Sequence, residues 1–205
     1  MSTHKRIDII CVVILICTVV ITILFMNGEK LGITAIIDED AESYEGNAYF
    51  TSNDQDGDWE SATSVYITLE GDTAKISGNG AYVSDGNVYI SGGGYYILSG
   101  TLDDGSIIVD AYSSSKIWIM LNGVDITCSD SAAIIVNQAD KVFLTLAEGT
   151  QNTLTDGAEY SDEAIEEGIN AAVFTHDDLT INGSGSLVIN GNYKHGIRAK
   201  DSLVI

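Results

Sequence analysis

Four phrases of this chain echo one another: SIIVDAYSSSKIWIMLNG, AAIIVNQADKVFLTLAEG, AAVFTHDDLTINGSG and HGIRAKDSLVI. Aligned on Val109, Val136, Val173 and Ile197, they stand 27, 37 and 24 residues apart. The long interval holds an acidic, weakly helical insertion at 159–168, and without it the repeat is about 25 residues. Each repeat contains short β-branched and aromatic runs broken by Gly, Asn, Asp and Ser, the pattern of strands separated by turns. A unit this small cannot bury its apolar side alone, so successive units must stack on one another. The prediction is an all-β fold, a parallel β-helix over residues 63–205. Short strands bounded by turns also suit a β-sandwich, which is the alternative architecture.

Stacking turns each repeat position into a ladder with rungs about 4.8 Å apart. Ile117, Ile119 and Leu121 match Val142, Leu144 and Leu146, then Leu179 and Ile181, then Leu203 and Ile205, and alternation of period two points them inward. Trp118 and Phe143 then face outward, where aromatic rings can stack on sugars. The same register aligns Asp140, Asp177 and Asp201 at the turn entering the next strand, with Asp178 alongside. Carboxylates one strand apart repel unless a cation sits among them, and Ca2+ takes its ligands from carboxylates and turn carbonyls. An Asx turn to backbone amides is the competing account of each Asp.

Charge is distributed unevenly. The formal net charge is −21, from 9 Lys and Arg against 30 Asp and Glu, which argues against nucleic-acid partners. Against that background NYKHGIRAK gathers Lys194, His195, Arg198 and Lys200, a cluster suited to acidic sugars or simply to charge balance on an exposed turn. Residues 38–60 hold nine acidic residues and no Lys or Arg, so they read as an acidic tether within a linker at 28–62. The Asp54, Asp56, Asp58 and Glu60 alternation there lacks the order of an EF-hand loop.

Residues 7–26 form an apolar run as long as a membrane span, preceded by His4, Lys5 and Arg6. The expectation is a single-pass signal anchor within 1–27, with its tip cytoplasmic and the remainder outside the cell; a cleavable signal peptide is the alternative. Cys128 is the only cysteine beyond this run, which excludes a disulfide framework. The chain contains no GxSxG, HExxH or P-loop motif.

The run from SGTLDDGSIIVDA through LNGVDITCSDSAAIIV, ADKVFLTLAEGTQNTLTDG and AAVFTHDDLTINGSGSLVINGNYKHGI to AKDSLVI is similar to the carbohydrate-binding domain family of clostridial surface β-helix proteins. Members of that family resemble pectate lyases in fold. The resemblance covers residues 48–205. It implies a right-handed parallel β-helix, calcium bound among the turns at Asp140, Asp177, Asp178 and Asp201, and non-catalytic binding of polygalacturonate or pectin, with cellulose as a further ligand. Family members continue for more turns, so the end at LVI is expected to leave an open sheet edge. A calcium-assisted pectate lyase and a structural stalk or adhesin are the other function classes.

Overall fold

A computed structural model describes residues 64–205. Two hairpins open the fold. In the first, β1 (Val65–Gly71) pairs antiparallel with β2 (Ala74–Ser77). In the second, β3 (Ala81–Ser84) pairs antiparallel with β4 (Asn87–Ile90). The second turn is Asp85-Gly86, and both residues have positive φ, 49° and 79°. That backbone reverses a twisted hairpin in two residues, and Asp-Gly is a pair that adopts it readily.

The remaining strands pair parallel. They are β5 (Gly94–Leu102), β6 (Ile107–Asp110), β7 (Lys116–Thr127), β8 (Ile134–Gln138), β9 (Lys141–Leu146), β10 (Gln151–Thr155), β11 (Ala171–Thr175), β12 (Asp178–Gly183), β13 (Ser186–Asn190), β14 (His195–Ala199) and β15 (Leu203–Val204). One sheet has nine strands and runs β15-β12-β9-β7-β5-β1-β2, with β10 bridging β7 and β13. The other has six, in the order β14-β11-β8-β6-β4-β3.

The all-β class stands, but the expected parallel β-helix is corrected to two mixed sheets. The two hairpins force antiparallel pairs into sheets that are otherwise parallel. The expected single-pass membrane localisation is also corrected. No helix among the described residues is long and apolar enough to cross a membrane. Residues 7–26, the linker at 28–62 and its Asp54, Asp56, Asp58 and Glu60 lie outside the described residues.

The core lies between the sheets and is built from ladders. Ile117, Val142, Leu179 and Leu203 pair in succession, as do Ile119, Leu144 and Ile181. Ile117, Ile119, Val142 and Leu144 are at most 1% exposed. Burying side chains of this size contributes about 1.5–3 kcal/mol each, which is how a chain so rich in turns holds together. In the six-stranded sheet the register differs from the expectation. Val136 pairs with Thr175, not with Val173, which pairs with Ile134. The path from Val136 to Val142 is six residues, whereas Thr175 reaches Leu179 in four. Repeat positions therefore slip by two between the sheets.

Glycine is required where neighbouring strands approach closely at their ends. At Gly183 φ is +99° and a Cβ would collide with the Leu146 backbone. The insertion forms a short helix, α1 (Asp162–Glu166), capped by Ser161, whose hydroxyl accepts from the Ala164 amide. It packs on the outer face of the six-stranded sheet, where Ala132, Ile135, Tyr160, Ala164, Ile169, Ala171 and Phe174 form a second buried cluster.

Candidate functional site

The basic cluster lies on an edge strand. Lys194 precedes β14, His195 and Arg198 lie on it, Lys200 follows it, and all four are exposed. A strand rises about 3.3 Å per residue, so Lys194 to Lys200 spans about 20 Å. Two of the cations rest on aromatic rings. Lys194 Nζ lies 4.6 Å from the centre of the Tyr193 ring and Lys200 Nζ 5.3 Å from that of Phe174. Arg198 pairs in register with Phe174, which brings it beside Lys200. Such cation–π contacts hold the long side chains without neutralising them.

His176 adjoins this edge. Its ring meets Phe174 edge-on at 5.1 Å, and its Nε2 lies 3.4 Å from Lys200 Nζ. Burial, and then the Lys200 charge, hold its pKa below the usual imidazole value. Tyr193 is fixed from behind by a stack on Tyr160 at 4.3 Å. The Tyr160 hydroxyl donates to Asp156 Oδ2 at 2.8 Å, and the same carboxylate accepts from the Asn192 amide. Asp156 is buried and its acceptors are used, so this knot anchors the turn that carries Lys194.

The aspartate turns behave differently from a metal ladder. Asp140, Asp177 and Asp201 are equivalent with respect to the strands that follow them, each standing two residues before the rung of Val142, Leu179 and Leu203. Asp177 Oδ2 accepts from the Ala139 amide at 2.9 Å, and Asp178 Oδ1 from the Ser202 amide at 3.2 Å. Among the described residues no three or more His, Cys, Asp or Glu are grouped so as to hold a metal ion. Asp140, Asp177, Asp178 and Asp201 therefore do not fit as a calcium ligand set. Asp177 and Asp178 instead tie neighbouring strand-to-strand turns together through backbone amides.

The expected aromatic ladder forms, with an added member. Tyr95, Trp118 and Phe143 stack at 4.8 and 5.2 Å. Lys141 Nζ sits 5.2 Å from the Phe143 ring. Trp118 is half-buried and Phe143 only 1% exposed, so the ladder does not present an open platform for sugar rings.

A further feature has no counterpart in the sequence reading. A cleft of about 390 Å³ opens on the outer face of the six-stranded sheet, between the β3–β4 hairpin and α1. Tyr89 lines it and stacks on Tyr82 at 5.0 Å with the rings 6° from parallel. Its residues come from four separate stretches of chain, which is why no local motif announced it. Cys128 is among its lining residues, and burial pushes that thiol's pKa up, which disfavours the thiolate.

Residues 84–205, more than half of the chain, match the family described as carbohydrate-binding domain-containing protein. A protein of that description from Acetivibrio thermocellus is 40% identical over 108 residues, which are 52% of this chain and 38% of the relative. The chain thus spans well under half of that relative's length. A solved structure described as the polysaccharide lyase-like protein from C. thermocellum, gadolinium derivative, matches with a TM-score of 0.65 and 35% identity, covering 68% of this chain and 57% of that one.

Proposed function

Since the chain belongs to the family of carbohydrate-binding domain-containing proteins, we propose that it binds an acidic polysaccharide, a polyuronate such as polygalacturonate or pectin, and does not cleave it. The observation that carries this reading is the edge formed by Lys194, Arg198 and Lys200, where exposed cations are backed by Tyr193 and Phe174. An extended polymer with one carboxylate per sugar matches a linear array of cations about 20 Å long, and several weak contacts along one chain add up. Arg198 can take a carboxylate through two parallel N–H bonds, while the two lysines act as point charges. The aspartate turns offer no ligand set, so nothing in this reading is routed through calcium.

A lyase would need a base that loses its proton near neutral pH beside the uronate. An exposed edge such as that of Lys194, Arg198 and Lys200 does not enclose a sugar's reacting carbon against a single base, so the same residues suit binding better than proton abstraction. The test is retention of the full chain on insoluble pectate, run beside a measurement of unsaturated uronide. Retention that falls as salt rises, without product, supports the reading. Steady product formation would make the protein a lyase, and no retention on pectate at low salt would favour a stalk or adhesin.

A further inference from the structure

We propose that the cleft between the β3–β4 hairpin and α1 is a second sugar site, selective for a pyranose bearing an ammonium group, that is, an amino sugar. Its volume of about 390 Å³ falls in the range of small-ligand sites. Ile108, Ile135 and Ile169 add apolar contacts to a lining that is mostly polar, and Tyr89 forms an aromatic wall. That wall extends outward through Tyr82, which is 51% exposed and stacked flat on Tyr89. A pair of parallel rings opening onto a cleft suits the C–H face of a pyranose, and the same π faces attract an ammonium.

Charge decides which pyranose. Asp85, Asp104, Asp130, Glu163 and Glu167 line the cleft, and no Lys, Arg or His does. A uronate, sulfate or phosphate is repelled there, a neutral sugar gains hydrogen bonds only, and an ammonium gains both hydrogen bonds and attraction. Burial, then Tyr82, then Asp85, Glu163 and Glu167 raise the pKa of the Tyr89 phenol, consistent with those carboxylates facing the aromatic wall. A bare divalent ion is the weaker occupant, because no three carboxylates among the described residues converge as ligands would. Lys194, Arg198 and Lys200 do not line this cleft, so it is independent of the basic edge.

The test is calorimetric titration of the full chain with a glucosamine tetramer, its N-acetylated counterpart and a galacturonate oligomer. The glucosamine tetramer should bind in a salt-sensitive way, and the N-acetylated form about threefold to tenfold more weakly, as expected when one or two exposed charge pairs are lost. Glu163→Gln combined with Glu167→Gln should lower glucosamine binding about tenfold and leave galacturonate binding unchanged. Tyr82→Ala, an exposed position, should also weaken it and serves if the double variant fails to fold. A control pair away from the cleft, Glu70→Gln with Glu148→Gln, should change nothing. Equal affinity for the charged and N-acetylated tetramers, an equal loss in the control pair, or no glucosamine binding would overturn the proposal. So would binding of calcium alone that disappears in Glu163→Gln/Glu167→Gln.

Discussion

Replacing Asn152 with Ala should destabilise the fold more than any surface change, for reasons that can be counted. Asn152 is completely buried. Its Oδ1 accepts from the Gly123 and Val124 amides at 2.9 and 3.1 Å, and its Nδ2 donates to Thr150 Oγ1 and to the Ser186 carbonyl, both at 3.1 Å. One side chain thus joins β7, β10 and the start of β13. Alanine removes four hydrogen bonds and strands the buried Val124 amide, at about 1–3 kcal/mol, while the amide of the exposed Gly123 can turn to water. A total near 3 kcal/mol allows for water entering the space left behind. For a chain of this size that corresponds to a fall in Tm of about 6–12 °C. Thermal and urea unfolding followed by circular dichroism would read it. A loss below about 1 kcal/mol would refute the argument that side-chain bonds between neighbouring strands hold this part of the sheet together.

Gly183→Ala should cost about 2 kcal/mol or more, because Ala is strained at a φ of +99° and its Cβ meets the Leu146 backbone; an unchanged urea midpoint would contradict this. Burial, followed by the Asp156 hydrogen bond and charge, holds the Tyr160 pKa above its ordinary value of 10.0. The folded state therefore keeps a proton that the unfolded chain gives up, so this contribution is intact below about pH 10 and is lost as pH rises further. Tyr160→Phe should flatten the alkaline fall in stability seen in unfolding measured from pH 8 to 11, and an unaltered slope would show that the hydroxyl does not matter. Chelation with EDTA should leave the Tm of residues 64–205 within the full chain unchanged, since Asp177 Oδ2 is engaged by the Ala139 amide and no three or more His, Cys, Asp or Glu among the described residues are grouped so as to hold an ion. Asp177→Asn, which keeps an acceptor, should be milder than Asp177→Ala by about 1 kcal/mol.

The inward ladders were legible because alternation and repetition reinforce each other, and Ile117, Val142, Leu179 and Leu203 pair as their spacing requires. The hairpins were not. AYVSDGNVYI reads as one β-rich run, yet Asp85 and Gly86 both take positive φ and fold it back on itself. That single turn converts an expected parallel coil into a mixed sheet. The slip between Val136 and Thr175 escaped because apolar positions two residues apart are interchangeable to a period-two pattern. The aspartate alignment was real, but sequence cannot tell a carboxylate that faces an ion from one that faces an amide. The basic edge could be seen since its members are neighbours in the chain. The cleft could not, since Tyr89, Asp104, Asp130 and Glu163 meet only after folding.

The central claim is that exposed cations on β14 and its flanks hold a polyuronate. Titration of the full chain with a galacturonate oligomer, with and without Arg198→Glu and Lys200→Glu together, tests it most directly. The account predicts that the charge reversal weakens binding by at least about tenfold, with Tm unchanged and a shallower dependence on salt. Wild-type affinity retained by the double variant, with the same salt dependence, would contradict it.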